Sequence, residues 1–143
     1  MQNVSDLESL DTNTLKLLLK DAMDKKREIA QGDFLKFVKE VWPDFIEGKH
    51  HKIYAEKLNR IANGELKRLI VNMPPRHTKS EFASNLFPAF YMGRHPKAKL
   101  IQTTHTGELA IRFGRKAKNM IESSEYEKVF PEVTLAADSK AAG

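Results

Sequence analysis

A lysine and a serine that follow an apolar run and a double proline are the residues of this chain best suited to chemistry. They are Lys79 and Ser80, and the segment that contains them reads Leu69-Ile70-Val71-Asn72-Met73-Pro74-Pro75-Arg76-His77-Thr78-Lys79-Ser80. A lysine can reach the β and γ phosphates of a nucleotide, a serine hydroxyl can ligate Mg²⁺, and backbone N–H groups at the start of a helix point towards an anion. The segment therefore predicts a phosphate-binding loop between a buried strand and a helix.

The loop departs from the general phosphate-loop pattern, G-x-x-x-x-G-K-[ST], at both glycines. Met73 stands at the first glycine position and Thr78 at the second. Pro74 and Pro75 have no N–H donors, but they stiffen the approach to the turn. On this pattern alone two interpretations stay open: the segment binds a nucleotide, or its Lys-Ser pair simply starts a helix.

Three helices are predicted ahead of the loop. They cover residues 13–30, residues 34–42 after an Asp33 N-cap, and a third stretch that Asn63-Gly64 closes. Trp42 stands beside Pro43 and can line a cleft. The apolar faces at helical spacing are Leu15, Leu18, Leu19, Ala22 and Met23 in the first helix, Phe34, Phe37, Val38, Val41 and Trp42 in the second, and Ile53, Tyr54, Leu58 and Ile61 in the third.

Two strands are predicted at residues 67–73 and 99–104. The almost unbroken apolar run Leu69-Ile70-Val71 is typical of a strand covered on both faces of a parallel sheet. We expect the two strands to be parallel and joined by a right-handed crossover through a helix at residues 79–91, which Pro88 should kink or shorten. A further helix follows from about residue 107, with Thr106 or Thr104 as its cap. The predicted fold class is therefore α/β with a parallel sheet.

Two motifs resemble those of one protein family. The first is Asn72-Met73-Pro74-Pro75-Arg76-His77-Thr78-Lys79-Ser80-Glu81, and the second is Thr106-Gly107-Glu108-Leu109-Ala110-Ile111-Arg112-Phe113-Gly114-Arg115. Both are similar to segments of the large terminase subunits of tailed bacteriophages, the ATP-driven motors that package DNA into capsids. The likeness runs from about residue 34 to the end of the chain, and it departs from the family at Thr78, where glycine is usual.

The resemblance implies a fold and a set of roles. It implies a truncated three-layer α/β/α fold of the P-loop NTPase type, with an N-terminal helical segment at residues 1–32, part of an ATPase domain at 33–143 and no nuclease domain. Lys79 would bind the β and γ phosphates of ATP, and Ser80 would ligate Mg²⁺. The backbone of Arg76, His77, Thr78 and Lys79 would cradle the phosphates. Arg76 could sense the γ-phosphate or, alternatively, form a surface salt bridge.

The resemblance also implies partners and a location. They are double-stranded DNA, the portal, the small terminase subunit and other copies of the subunit in a ring, in the cytoplasm of a bacterial host. Two alternatives stay open: another P-loop NTPase of helicase type, and a non-catalytic helical interaction module whose phosphate loop is vestigial.

The sequence lacks a convincing carboxylate for hydrolysis. A motor ATPase needs an acidic pair after a later strand to organise Mg²⁺ and the attacking water, and the only candidate, residues 133–138 ending in Asp138, is poor. We therefore expect weak Mg-ATP binding and negligible hydrolysis. Thr78 should weaken binding because its side chain crowds the turn, so Thr78→Gly should tighten binding and Lys79→Ala should abolish it.

Bulk composition excludes some classes and mildly favours a polyanionic partner. The chain has no cysteine, which excludes disulfides and cysteine-based zinc sites, and no run approaches a membrane span. Its 24 basic and 19 acidic residues give a net charge of +5. Four cations fall within seven residues of the last predicted helix, and we expect them to contact DNA or a neighbouring subunit, or else to face solvent. They are Arg112, Arg115, Lys116 and Lys118.

Overall fold

The structure, a computed structural model, describes residues 11–136, and these form helices joined by turns and irregular segments. The helices are α1 (Thr12–Gly32), α2 (Phe34–Val41), α3 (Lys49–Ala62), α4 (Lys79–Glu81), a π-helical segment (Phe82–Leu86), α5 (Phe87–Arg94), α6 (Gly107–Ile121) and α7 (Ser124–Val129). Because α4, the π-helical segment and α5 follow one another without a break, residues 79–94 are called the central helix below.

Local signals set several helix ends, as predicted. The Asp33 side chain accepts a hydrogen bond from the Lys36 N–H at 2.9 Å and caps α2. The Thr106 hydroxyl accepts one from the Leu109 N–H at 3.3 Å and caps α6. After α3 the chain turns at Gly64, whose φ of 78° is open to glycine without steric cost.

An aromatic core joins α2, the central helix and α7. The ring of Phe34 lies edge-on to that of Phe82 at 5.2 Å and to that of Phe90 at 5.5 Å between centroids, and its side chain is fully buried. Tyr126 is also fully buried, and its hydroxyl donates a hydrogen bond to the Ala89 carbonyl at 3.0 Å. The buried hydroxyl of Tyr126 thus has a hydrogen-bond partner inside the core. Burial of the phenol raises the pKa of Tyr126.

The predicted α/β fold with a parallel sheet is wrong for the described part of the chain, where the regular elements are all helical. Residues 67–73 and 99–104 contain no strand, so the predicted parallel pair and its right-handed crossover are also wrong. Ile70 is 87% exposed and Ile101 is 92% exposed, which is the opposite of a strand buried on both faces.

The alternation of exposure along residues 69–73 explains the difference. Leu69, Val71 and Met73 lean on the helical core, whereas Ile70 and Asn72 point outwards. A strand in a sheet pairs its backbone N–H and C=O groups with those of a neighbour. Residues 69–73 have no such neighbour among residues 11–136, so only one of their faces is covered.

The central helix adjusts its geometry ahead of Pro88. Proline has no N–H, so it cannot donate to the Ser84 carbonyl four residues earlier. That carbonyl instead accepts a hydrogen bond from the Gln102 side-chain amide at 3.1 Å. The residues before Pro88 form the π-helical segment, in which the Phe87 N–H bonds to the Phe82 carbonyl. The helix is not shortened at Pro88: it continues to Arg94 and accommodates the proline with a wider, π-helical turn.

The first helix is attached mainly through its C-terminal end. The Gln31 amide donates to the Val129 carbonyl at 2.7 Å, and the Arg27 side chain donates to the Lys128 carbonyl at 3.0 Å. Ala30 is buried, while the apolar residues predicted for one face nearer the N-terminus, such as Leu19 and Met23, are exposed.

Candidate functional site

The loop before the central helix has an unusual backbone. Arg76 has a φ of 63° and Thr78 a φ of 58°, and these are the non-glycine residues with positive φ in the described part of the chain. A non-glycine residue in this left-handed region costs roughly 1–2 kcal/mol, more for a β-branched one such as threonine. Two such residues in three positions mark a segment whose shape is held by its surroundings.

The side chain of Lys79 folds back across this loop. Its Nζ donates a hydrogen bond to the Met73 carbonyl at 3.4 Å, so the two ends of the loop are in contact. The lysine is half-buried, and among residues 11–136 its ammonium makes no ion pair with an acidic side chain. A cation held over a turn without a counter-ion is available to an anionic ligand.

An open cleft of about 660 Å³ runs along the loop. It has the size of a small-molecule site. It is lined by Trp42, Met73, Pro74, Pro75, Arg76, His77, Thr78, Lys79, Ser80 and Glu81. The structure therefore places all five predicted loop residues, from Arg76 to Ser80, along one surface, together with the tryptophan expected to line a cleft.

Histidines gather behind the loop. The Nε2 atom of His51 is 2.6 Å from the Thr78 hydroxyl, and the His51 ring lies 3.8 Å from the His50 ring between centroids. The His50 ring is in turn 5.4 Å from that of His77, whose Nδ1 bonds to the Pro75 carbonyl at 2.9 Å. Burial lowers the pKa of His51, and the neighbouring His50 and His77 lower it further against the opposing effect of Glu47.

Glu47 lies two residues before α3 and places a negative charge near the histidines. Its carboxylate pairs with Lys39 and, at 3.0 Å, with Lys52. The hydrogen bonds from Lys39 and then from Lys52 lower the pKa of Glu47 to about 2. The carboxylate therefore remains ionised near the histidines at neutral pH.

Sequence reasoning missed the role of His51. The residue is 6% exposed and lies 27 positions before Thr78. No pattern of spacing in the sequence links a residue at the start of a helix to a loop so far along the chain.

Ser80 is the residue here that could hold Mg²⁺. It is exposed at the rim of the cleft. Mg²⁺ usually keeps several waters and takes one or two protein ligands together with substrate phosphates, so a single hydroxyl fits this mode of binding. In the described part of the chain no group of three His, Cys, Asp or Glu side chains is placed to hold a metal ion.

The carboxylate nearest the loop in sequence is already engaged. Glu81 pairs with Lys116 of α6 at 3.2 Å. The proposed acidic motif at 133–138 is only partly described: Val133 and Leu135 pack against the core, and Asp138 lies outside the described residues. Within the described part of the cleft, no free carboxylate is therefore placed to orient water.

The four cations predicted as a contact surface divide into two groups. Arg112, Arg115 and Lys116 are exposed. Lys118 is half-buried and lines a different groove, together with Ala83 and other apolar residues. The Lys116–Glu81 pair brings the exposed group next to the start of the central helix.

No family model, curated protein or solved structure matches the chain. No helix in residues 11–136 is long and apolar enough to cross a membrane.

Proposed function

We propose that residues 73–80 bind the phosphates of Mg-ATP and that the chain is the nucleotide-binding part of a DNA-packaging motor of the terminase large-subunit type. The observation that carries the first step is the loop itself: Arg76 and Thr78 have left-handed backbones, and Lys79 folds back onto Met73 at 3.4 Å. Such a turn directs backbone N–H groups into a concave surface at a helix start, where phosphate binds.

The side chains along the loop suit a nucleotide phosphate. Lys79 lacks an acidic partner among the described residues and can neutralise the β and γ phosphates, while Ser80 is exposed and can complete the shell of Mg²⁺. The exposed Arg76 guanidinium can reach the γ-phosphate. The resemblance of the two motifs to terminases supports the second step, the assignment to a packaging motor.

Hydrolysis by this chain is expected to be negligible. Phosphoryl transfer to water needs a group that orients the nucleophile. Glu81 is paired with Lys116 at 3.2 Å and is not free for that task. Binding without turnover is therefore the expected behaviour.

Calorimetric titration with Mg-ATP tests the proposal. The unmodified chain should bind, Lys79→Ala should abolish binding, and the exposed control Lys97→Ala should leave it unchanged because Lys97 lies outside the cleft. Phosphate release should stay at the background rate in all three. Binding that survives Lys79→Ala would place the nucleotide elsewhere, and robust phosphate release would mean that Glu81 or Asp138 acts as a base.

DNA binding is tested separately through its salt dependence. Replacing Arg112, Arg115 and Lys116 by alanine should flatten the plot of log affinity against log salt, by about 0.9 for each DNA phosphate that these side chains neutralise. Lys118→Ala should change the slope little, because Lys118 is half-buried in another groove. A matched control removes the exposed Lys16, Lys20 and Lys97. An equal flattening by the control would show that net charge alone attracts the DNA.

A further inference from the structure

Thr78 occupies a backbone conformation for which glycine is the usual choice. Its φ is 58° and its ψ is 8°, and it directly precedes the central helix. Glycine enters this region freely because it has no Cβ, whereas the branched Cβ of threonine crowds the neighbouring carbonyl. Something in the surroundings must therefore hold Thr78 in place.

The hydrogen bonds around His51 define which atom donates to which. The Gly48 N–H can only donate, so the His51 Nδ1 that lies 2.9 Å from it is the acceptor. In the neutral ring the proton is then on Nε2, which donates to the Thr78 hydroxyl at 2.6 Å. The Thr78 hydroxyl in turn donates a hydrogen bond to the His77 carbonyl at 2.7 Å. Every donor in this chain of bonds meets an acceptor.

The ring of His51 is fixed from the other sides as well. It lies 4.8 Å from the Phe45 ring and 5.2 Å from the Phe82 ring between centroids, and it is 6% exposed. As the third residue of α3, it accepts from the N-cap N–H, which is one half of a capping box. A ring held by packing and by a helix start is a rigid anchor for the loop.

We propose that His51 is a positioning residue for the phosphate loop: its Nε2–H holds the Thr78 hydroxyl and keeps Thr78 in the left-handed conformation that glycine supplies in the general motif. The effect on nucleotide affinity rests on the proposed function. The effect on the loop backbone does not, because the hydrogen bond exists without a ligand.

A double-mutant cycle with Mg-ATP titration tests the link to binding. With Thr78 present, His51→Phe should weaken binding about tenfold, which corresponds to one net hydrogen bond. With Thr78→Gly, which should bind at least as tightly as the unmodified chain, the same change should alter affinity less than about twofold, because glycine needs no support. An equal weakening in both backgrounds would overturn the proposal, since it would mean that His51 supports the site only through packing.

Substitutions at Thr78 provide a test that leaves His51 and the core intact. Thr78→Val keeps the shape and removes the hydroxyl, so it should lose affinity as His51→Phe does. Thr78→Ser keeps the hydroxyl and should retain affinity. A valine variant that binds as well as the unmodified chain would overturn the proposal even if His51→Phe does not fold.

A third measurement needs no nucleotide. Nitrogen NMR of the His51 ring at neutral pH should show Nε2 protonated and Nδ1 unprotonated, and the urea midpoints of His51→Phe and Thr78→Val should combine non-additively. Additive midpoints or the opposite tautomer would overturn the role of His51. If midpoints are coupled but Mg-ATP does not bind, the proposed function fails while the role of His51 in the loop stands.

Discussion

The aromatic core and the irregular segments at residues 67–73 and 99–104 both contain large apolar side chains, but those of the irregular segments are at most partly covered. Phe34 is fully buried, whereas Ile70 is 87% and Ile101 is 92% exposed. A helix satisfies its own backbone hydrogen bonds, so it can bury an apolar face without pairing its backbone with another segment. A strand cannot do this alone, because its backbone N–H and C=O groups are paired only when another strand lies beside it. Apolar composition alone therefore did not predict burial at residues 67–73 and 99–104, because the sheet that would cover both faces is absent from residues 11–136.

The largest expected effect is a difference in the free energy of unfolding between substitutions in the aromatic core and in residues 99–104. Phe34→Ala should lower the free energy of unfolding by about 3–5 kcal/mol, because it empties the centre of the aromatic core. Ile101→Ala should change it by no more than about 0.5 kcal/mol, since that side chain is exposed. Urea denaturation followed by circular dichroism measures both. A destabilisation at Ile101 as large as that at Phe34 would contradict the contrast.

A smaller effect tests how tightly the core packs against the central helix. A Cβ added at Gly93 would lie 2.6 Å from the Phe130 ring, so Gly93→Ala should cost about 1–3 kcal/mol through overpacking. The same change at Gly114 in α6 meets nothing within 4 Å and should stabilise the helix by about 0.5–1 kcal/mol. Opposite signs in thermal denaturation would confirm the prediction, and a neutral Gly93→Ala would show that the ring can move.

The smallest effect concerns pH and the loop side of the molecule. The pKa of His51 is lowered from 6.5 by burial and by His50 and His77, against Glu47. As the pH falls, the unfolded chain therefore takes up this proton before the folded chain does. The contribution of His51 to the free energy of unfolding is full above about pH 6.5 and is lost as the pH drops below that value. Urea midpoints across this range should fall in the unmodified chain and less in His51→Phe. The exposed His105→Gln is the control, and an equal fall in both variants would assign the effect to other groups.

Local signals were readable from the sequence, and distant pairings were not. The caps of Asp33 and Thr106 depend on residues three positions away, and both predictions are confirmed. The sheet depended on partners far along the chain, and the structure has none among residues 11–136. The strand predicted at residues 69–71 is absent: the segment is irregular, and only Leu69 and Val71 pack against the core.

The candidate site shows the same division. The sequence motif predicted residues 76–80 as a site because they are consecutive, and the structure places them along one cleft. The anchor at His51 was not readable because its hydrogen bond spans 27 positions. The left-handed backbones of Arg76 and Thr78 run against the preferences of those residue types, so composition pointed away from them.

The π-helical segment has a consequence for the direction in which the loop faces. Successive residues of an α-helix are rotated by about 100° around its axis, so one residue more or fewer turns everything beyond it by that angle. Phe82–Leu86 lies between the loop and the part of the central helix that packs through Phe90. Deleting one residue there would rotate Lys79 by about 100° relative to Phe90. It would also disturb the core, because Phe82 and Leu86 are buried in it. The length of this short segment thus sets the direction in which the candidate phosphate loop faces relative to Phe90.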